Sequence, residues 1–87
     1  MKRVHKKEKE QFEKLFKQEN IDHFEDRFNI LEVFLQTEHH VTVAELVQLL
    51  NENGYELTSD FVRDTLKLMC RFGFAQKNEV QQWTSAL

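Results

Sequence analysis

TVAELVQLLNENGYELTSDFVRDTLKLMCRFGFAQK, from Thr42 to Lys77, is the stretch that decides how this chain is read. Thr42-Val43-Ala44-Glu45 fits the capping box, in which a Thr hydroxyl and a Glu carboxylate three residues on satisfy each other's free backbone amides. Val43, Leu46, Val47, Leu49 and Leu50 then form an apolar helical face that stops at Asn51-Glu52-Asn53-Gly54. Gly54 suits the left-handed position that follows a helix. Tyr55-Glu56-Leu57 crosses to Thr58-Ser59-Asp60, where Thr58 or Ser59 caps the next helix. In that helix Phe61, Thr65, Leu68, Met69 and Phe72 recur at helical spacing beside Val62 and Leu66, which predicts the buried side. Asp60, Arg63, Asp64, Lys67 and Arg71 occupy the other side, and Gly73 ends the helix. Phe74-Ala75-Gln76-Lys77 reads as one strand and Val80 to Trp83 as its partner, with Asn78-Glu79 as a tight turn. Asn favours the positive φ such a turn needs at its first position, whereas Glu does not favour it at the second. Two capped helices joined by a turn and followed by a hairpin predict a winged helix-turn-helix. Its second helix is the usual reader of the DNA major groove.

Upstream, the pattern predicts two more helices. From about His5 to Gln18, Lys and Glu alternate around a narrow stripe of Phe12, Leu15 and Phe16. Glu10 precedes Lys14 and Glu13 precedes Lys17 in the order that favours an ion pair. The first residues are expected to fray, and the segment reads either as a solvated helix packed on one side or as an arm contacting DNA. Glu19-Asn20-Ile21-Asp22 is a break in which Asp22 or Asn20 can cap the second helix. From about Phe24 to Thr37, Phe24, Phe28, Leu31 and Leu35 with Ile30, Val33 and Phe34 make a face broad enough for the central helix of a core. Glu25 and Asp26 complement its dipole, and Arg27, the lone cation of an acidic stretch, is expected to pair with a neighbouring carboxylate. Thr37 to Val41 leads out through a short extended piece. The expectation is a mainly α winged helix-turn-helix with four helices and a short β-wing. Residues 1–20 form a charged amphipathic helix and residues 21–87 the winged-helix DNA-binding unit of a single domain.

Charge distribution says more than the net value of −3. Residues 1–17 hold seven Lys/Arg against three Glu, residues 18–60 one Arg against ten acids, and residues 61–87 four Lys/Arg against two acids. Positive charge therefore sits at both ends, the second of which contains the reading helix, and local rather than global charge is what a DNA surface requires. No apolar run approaches the roughly 20 residues of a membrane helix, and the basic start lacks the apolar region of a secretory signal. A single Cys excludes an internal disulfide framework and suits a reducing cytoplasm.

The outward side of the fourth predicted helix is the candidate site. Arg63, Lys67 and Arg71 can meet phosphates or base edges, Thr58 and Ser59 can donate to phosphate near the helix start, and Lys77 can support from the wing. Against this, Asp60 and Asp64 sit in the half that enters the groove, and a mixed-charge solvated face is the competing reading. Glu38-His39-His40 lacks the partners of a complete metal site at local spacing, so exposed imidazoles are expected, one of which can still be a ligand completed from elsewhere. Cys70 beside Met69 reads as a small buried hydrophobe. No triad, phosphate loop or carboxylate pair is present, and an enzyme is not expected.

Arg27-Phe28-Asn29-Ile30-Leu31-Glu32-Val33, His39-His40-Val41-Thr42-Val43-Ala44-Glu45-Leu46 and Thr65-Leu66-Lys67-Leu68-Met69-Cys70-Arg71-Phe72-Gly73-Phe74 stand in an order and spacing that resembles the amino-terminal domain of the ferric uptake regulator family. The similarity covers roughly Ile21 to Lys77. It implies a metal-responsive transcriptional repressor, sensing iron or zinc, that binds palindromic operators as a homodimer. His40 matches the second His of the H-H-V segment, which in many members joins a metal site between domains. The other ligands and the dimerisation domain of the family lie outside the quoted segments, so this chain resembles the DNA-binding half, expected to bind no metal alone and to be monomeric in isolation. Two positions depart from the family. Where it usually carries A-T-V-Y-R, this chain has Asp60-Phe61-Val62-Arg63-Asp64, and no Gly lies in the expected wing turn. The alternative is a winged-helix module that docks a protein instead of DNA.

Overall fold

A computed structural model describes residues 6–37 and 39–86. Its elements run α1 (Lys6–Glu19), α2 (Phe24–Leu35), α3 (Val43–Glu52), α4 (Ser59–Phe72), β1 (Ala75–Lys77) and β2 (Trp83–Ser85). The protein is mainly helical, with a small antiparallel sheet that pairs Ala75 with Ser85, Gln76 with Thr84 and Lys77 with Trp83. The helices fall close to the predicted spans. His5, where the first helix is expected to begin and to fray, lies outside the described residues, and α1 is helical from Lys6. No described helix is long and apolar enough to cross a membrane.

The narrow stripe on α1 is buried: Phe12 is fully enclosed and Phe16 nearly so. Phe12 is the hub of an aromatic layer, with ring centroids 4.4 Å from Phe16, 5.7 Å from Phe74, 6.2 Å from Phe72 and 6.4 Å from Phe28. Tilted and edge-on pairs at these separations add to the gain from burial itself. The charged side of α1 contributes less, since no ion pair joins Glu10 to Lys14 or Glu13 to Lys17 among the described residues. The broad face of α2 is buried through Phe28, Ile30, Leu31, Val33 and Phe34, as a helix packed by α1, α3 and α4 requires.

Helix starts and stops show which local signals the fold uses. The Thr42–Glu45 capping box forms in both directions, at 3.1 Å and 2.8 Å. Thr58, not Ser59, caps α4 by accepting from the Phe61 amide at 3.1 Å. Gly54 and Gly73 both take φ of 88°, and each lets the next amide reach back to a helix carbonyl: Tyr55 to Leu50 and Phe74 to Met69. The start of α2 differs from expectation. Neither Asn20 nor Asp22 caps it; the cap position is His23, left-handed at φ 58° with no side-chain cap bond. Asn20 instead terminates α1 in the left-handed region at φ 56°, where Asn is tolerated, and the Ile21 amide donates back to the Phe16 carbonyl.

The hairpin also differs. The second strand begins at Trp83, where the pattern had it end, and the tight Asn78-Glu79 turn is replaced by a wider loop through Gln82. Asn78 organises that loop. Its Oδ1 accepts from the Val80 and Gln82 amides at 3.1 and 2.9 Å, and its Nδ2 donates to Gln82 Oε1 at 3.2 Å. The required positive φ moves to Gln81, at 62°, which relieves Glu79 of it. The extended piece before α3 is used as well: Val41 and Trp83 exchange both backbone bonds, at 2.8 and 2.7 Å. This tie holds the hairpin against the start of α3.

Replacing Phe12 with Ala is expected to cost about 3–5 kcal/mol, the usual range for emptying a buried Phe site. Urea unfolding followed by far-UV circular dichroism measures it; a loss below about 1 kcal/mol, far under that range, would show α1 to be a dispensable appendage.

Candidate nucleic-acid interface

Helix α4 is built so that one side faces the core and the other faces solvent. Val62, Thr65, Leu66 and Met69 are fully buried, while Phe61, Leu68 and Phe72 flank them half-buried. The buried face is thus turned toward Val62 and Leu66, relative to the Phe61–Leu68 line that the spacing favoured. Asp60, Arg63, Asp64, Lys67 and Arg71 are all exposed, as expected.

Their partners sort these residues. Asp64 accepts from the Arg27 guanidinium at 2.8 Å, across from α2. Arg27 is buried, at 7 % exposure, and the same Nη1 donates to the Thr65 hydroxyl at 3.1 Å. Thr65 donates its own hydroxyl proton to the Phe61 carbonyl at 3.0 Å. The Arg27 Nε donates to the Asp22 carbonyl at 3.1 Å, and the Asp22 carboxylate lies 3.7 Å from Nη2. The guanidinium also rests over the Phe61 ring, 4.6 Å from its centroid. Arg27 therefore has the neighbouring carboxylate expected for it in Asp22, but its shorter contact is to Asp64, 37 residues away in sequence. That contact removes Asp64 from the set of free acids facing solvent.

At the amino-terminal end of α4, Thr58 uses its oxygen as the helix cap and keeps its hydroxyl proton available, and Ser59 is exposed beside it. Asp60 and Arg63 form an exposed pair at 3.3 Å. Lys67 is exposed, with no ion pair to a described residue. Thr58, Ser59, Arg63 and Lys67 thus belong to one solvent-facing side. Arg71 is separated from them in role, because it pairs with Glu19 at the end of α1 and lies over the Phe72 ring. Lys77 is exposed on β1, its ammonium 5.3 Å from the centroid of the Trp83 ring.

A cleft of about 300 Å³ joins Arg63 to the start of α3 at Thr42, Val43 and Ala44, and to Val80, Gln81 and Trp83 of the hairpin. The sequence reading missed this cleft and the Asp64 contact. The cleft depends on the Val41–Trp83 pairing, which no local pattern encodes. The Asp64 contact had one available signal, an Arg set in the broad apolar face of a central helix.

His40 is exposed, and among the described residues no three His, Cys, Asp or Glu side chains are grouped to hold a metal ion. One imidazole falls short of the four donors a zinc-type site takes. Cys70 is half-buried rather than enclosed. Burial raises its thiol pKa above the ordinary 9.0, partly offset by the positive charge of Lys77. No family model matches the chain, and no curated protein or solved structure is significantly similar to it.

Two of these contacts can be tested directly. Asp64→Ala removes the nearer of the two carboxylates around Arg27 and leaves only that of Asp22, at 3.7 Å. It is expected to lower stability by about 1.5–3 kcal/mol, as for hydrogen bonds to charged groups, read as a lower urea midpoint with an unchanged slope. With the folded pKa of Cys70 raised, the neutral thiol is retained to higher pH than in the unfolded chain. Its alkylation by iodoacetamide at about pH 8 is therefore expected to be slower in buffer than in urea, and equal rates would contradict the burial.

Proposed function

We propose that this chain is a winged-helix DNA-binding domain, with α4 lying in the major groove of duplex DNA and the β1–β2 hairpin as its wing. The observation that carries the reading is the composition of the solvent-facing side of α4. Thr58, Ser59, Arg63 and Lys67 are presented together there, while Asp64 is held by Arg27. The order of α3, turn, α4 and hairpin, and the resemblance of three segments to the ferric uptake regulator family, support it. On that resemblance the chain acts in a metal-responsive repressor of the cytoplasm. His40 supplies one donor to an iron or zinc site that residues outside this chain complete, and the full protein is a homodimer. Arg71 serves α4 mainly through Glu19, and Lys77 offers backbone support from the hairpin.

Fluorescence anisotropy of labelled duplexes at low ionic strength tests the proposal. Weak binding is expected, with log K falling linearly with log salt by about 0.9 per phosphate contact. Replacing Arg63 and Lys67 together by Ala is expected to abolish detectable binding. A wild-type chain that binds no duplex at low salt would sink the proposal.

One observation favours a second reading, docking to a protein. Val80 is the large hydrophobic side chain left exposed among the described residues, at 68 %, and it borders the cleft beside Arg63. Protein docking through Val80 would survive the double Ala substitution, whereas duplex binding would not.

A further inference from the structure

We infer that Asp60 and Arg63 together read a guanine–cytosine step, Asp60 accepting from the cytosine 4-amino group and Arg63 donating to guanine O6 and N7. The inference rests on the duplex-binding reading above and deepens it by naming what the helix selects. Two carboxylates lie in the amino-terminal half of α4, the part that enters a groove. Asp64 is already committed to the buried Arg27 at 2.8 Å. Asp60 is almost fully exposed, at 96 % for its side chain, and its only ion pair among the described residues is the one with Arg63. It stands in the first turn, two residues beyond the Thr58 cap.

A carboxylate carried into a groove lined by phosphates is repelled unless it meets a donor. Cytosine N4 is the donor that suits it, because the amino group of adenine is flanked by the N7 acceptor, which repels an anion. Arg63 supplies the complement: one nitrogen faces Asp60 at 3.3 Å, the side chain is 49 % exposed, and the guanidinium fork carries further donors for the two acceptors of guanine. Three residues advance a helix by about 4.5 Å, against about 3.4 Å between successive bases of a strand. The two side chains therefore reach the same base pair or adjacent ones. The carboxylate also restrains the guanidinium before binding, which lowers the ordering cost of the contact.

The test is selection of duplexes from a randomised pool by the full chain at low salt, followed by anisotropy on the recovered sequences. The expected motif contains a fixed G·C pair or step, and changing it to A·T weakens the wild-type chain by about tenfold or more, the scale of one well-made base contact. Asp60→Ala is expected to remove the preference for cytosine, and Asp60→Asn to shift it toward adenine, with far-UV circular dichroism unchanged in both. Asp64→Asn is expected to lower the urea midpoint and leave the motif as it is. Duplex binding whose motif is the same in Asp60→Ala as in the wild type overturns the inference and leaves the DNA-binding reading standing. A motif that changes with Asp64→Asn instead also overturns it. A wild-type chain that binds no duplex in the pool overturns both readings.

Discussion

The guanidinium of Arg27 is the one charge that the described interior of this protein has to accommodate, and the arrangement of α2 and α4 reflects how it does so. An unpaired buried charge is costly enough to unfold a small domain. Here Nε meets the Asp22 carbonyl, Nη1 meets Asp64 and Thr65, and the ring of Phe61 covers one face. These partners come from the segment before α2 and from three positions of α4. They can be met together in only one rotation of α4 about its axis. That rotation buries Thr65, turns Asp64 toward α2 and leaves Asp60, Arg63 and Lys67 in solvent. A satisfied polar network inside a core specifies geometry more than it adds stability, and in this protein the specified geometry is that of the candidate interface.

Around this contact the apolar layer fixes distances. Phe12 and Phe16 bring α1 against Phe72 and Phe74, so the end of α4 and the start of the hairpin share one aromatic wall. The pairing of Arg71 with Glu19 closes the same seam at the surface. The Val41–Trp83 bonds then hold the hairpin to the segment before α3. Each of these constraints acts at a different point on α4 or its continuation. The helix is positioned along its length, while its outer side is left without packing duties.

What the sequence made legible was local. The capping box, the α4 cap and the two glycine stops each depend on residues within about one helical turn. The box and the stops formed where the pattern placed them, and of the two caps the pattern allows, Thr58 and Ser59, it is Thr58 that forms. Errors arose where two local solutions compete or where a partner is distant. Asn20 and Asp22 both suit a cap, yet ending α1 claimed Asn20 and Arg27 claimed the carbonyl of Asp22. Asn78-Glu79 suits a tight turn, yet Glu resists positive φ, and the Asn78 carboxamide could organise a longer loop that places it on Gln81. That change displaced the second strand. The solvent-facing residues of α4 were legible from period alone. Their division into paired and available charges was not, because Asp64 finds its partner in another helix and Arg71 finds its partner in a third.

This division decides how the charged side of α4 can respond to a polyanion. Asp60–Arg63 and Asp64–Arg27 are both Asp–Arg pairs involving this helix, at 3.3 and 2.8 Å, but they differ in what opening them exposes. Separating an exposed pair costs under about 1 kcal/mol, since water solvates both ends. Arg63 can therefore leave Asp60 for another acceptor with little loss. Separating Asp64 from Arg27 leaves a cation that is 7 % exposed with only Thr65, the Asp22 carbonyl and the more distant Asp22 carboxylate, at a cost of about 1.5–3 kcal/mol. Arg63 and Lys67 can thus turn to an incoming acceptor while Asp64 stays in place. Of the two acids in the first half of α4, Asp64 is held by the core and Asp60 is the one left in solvent.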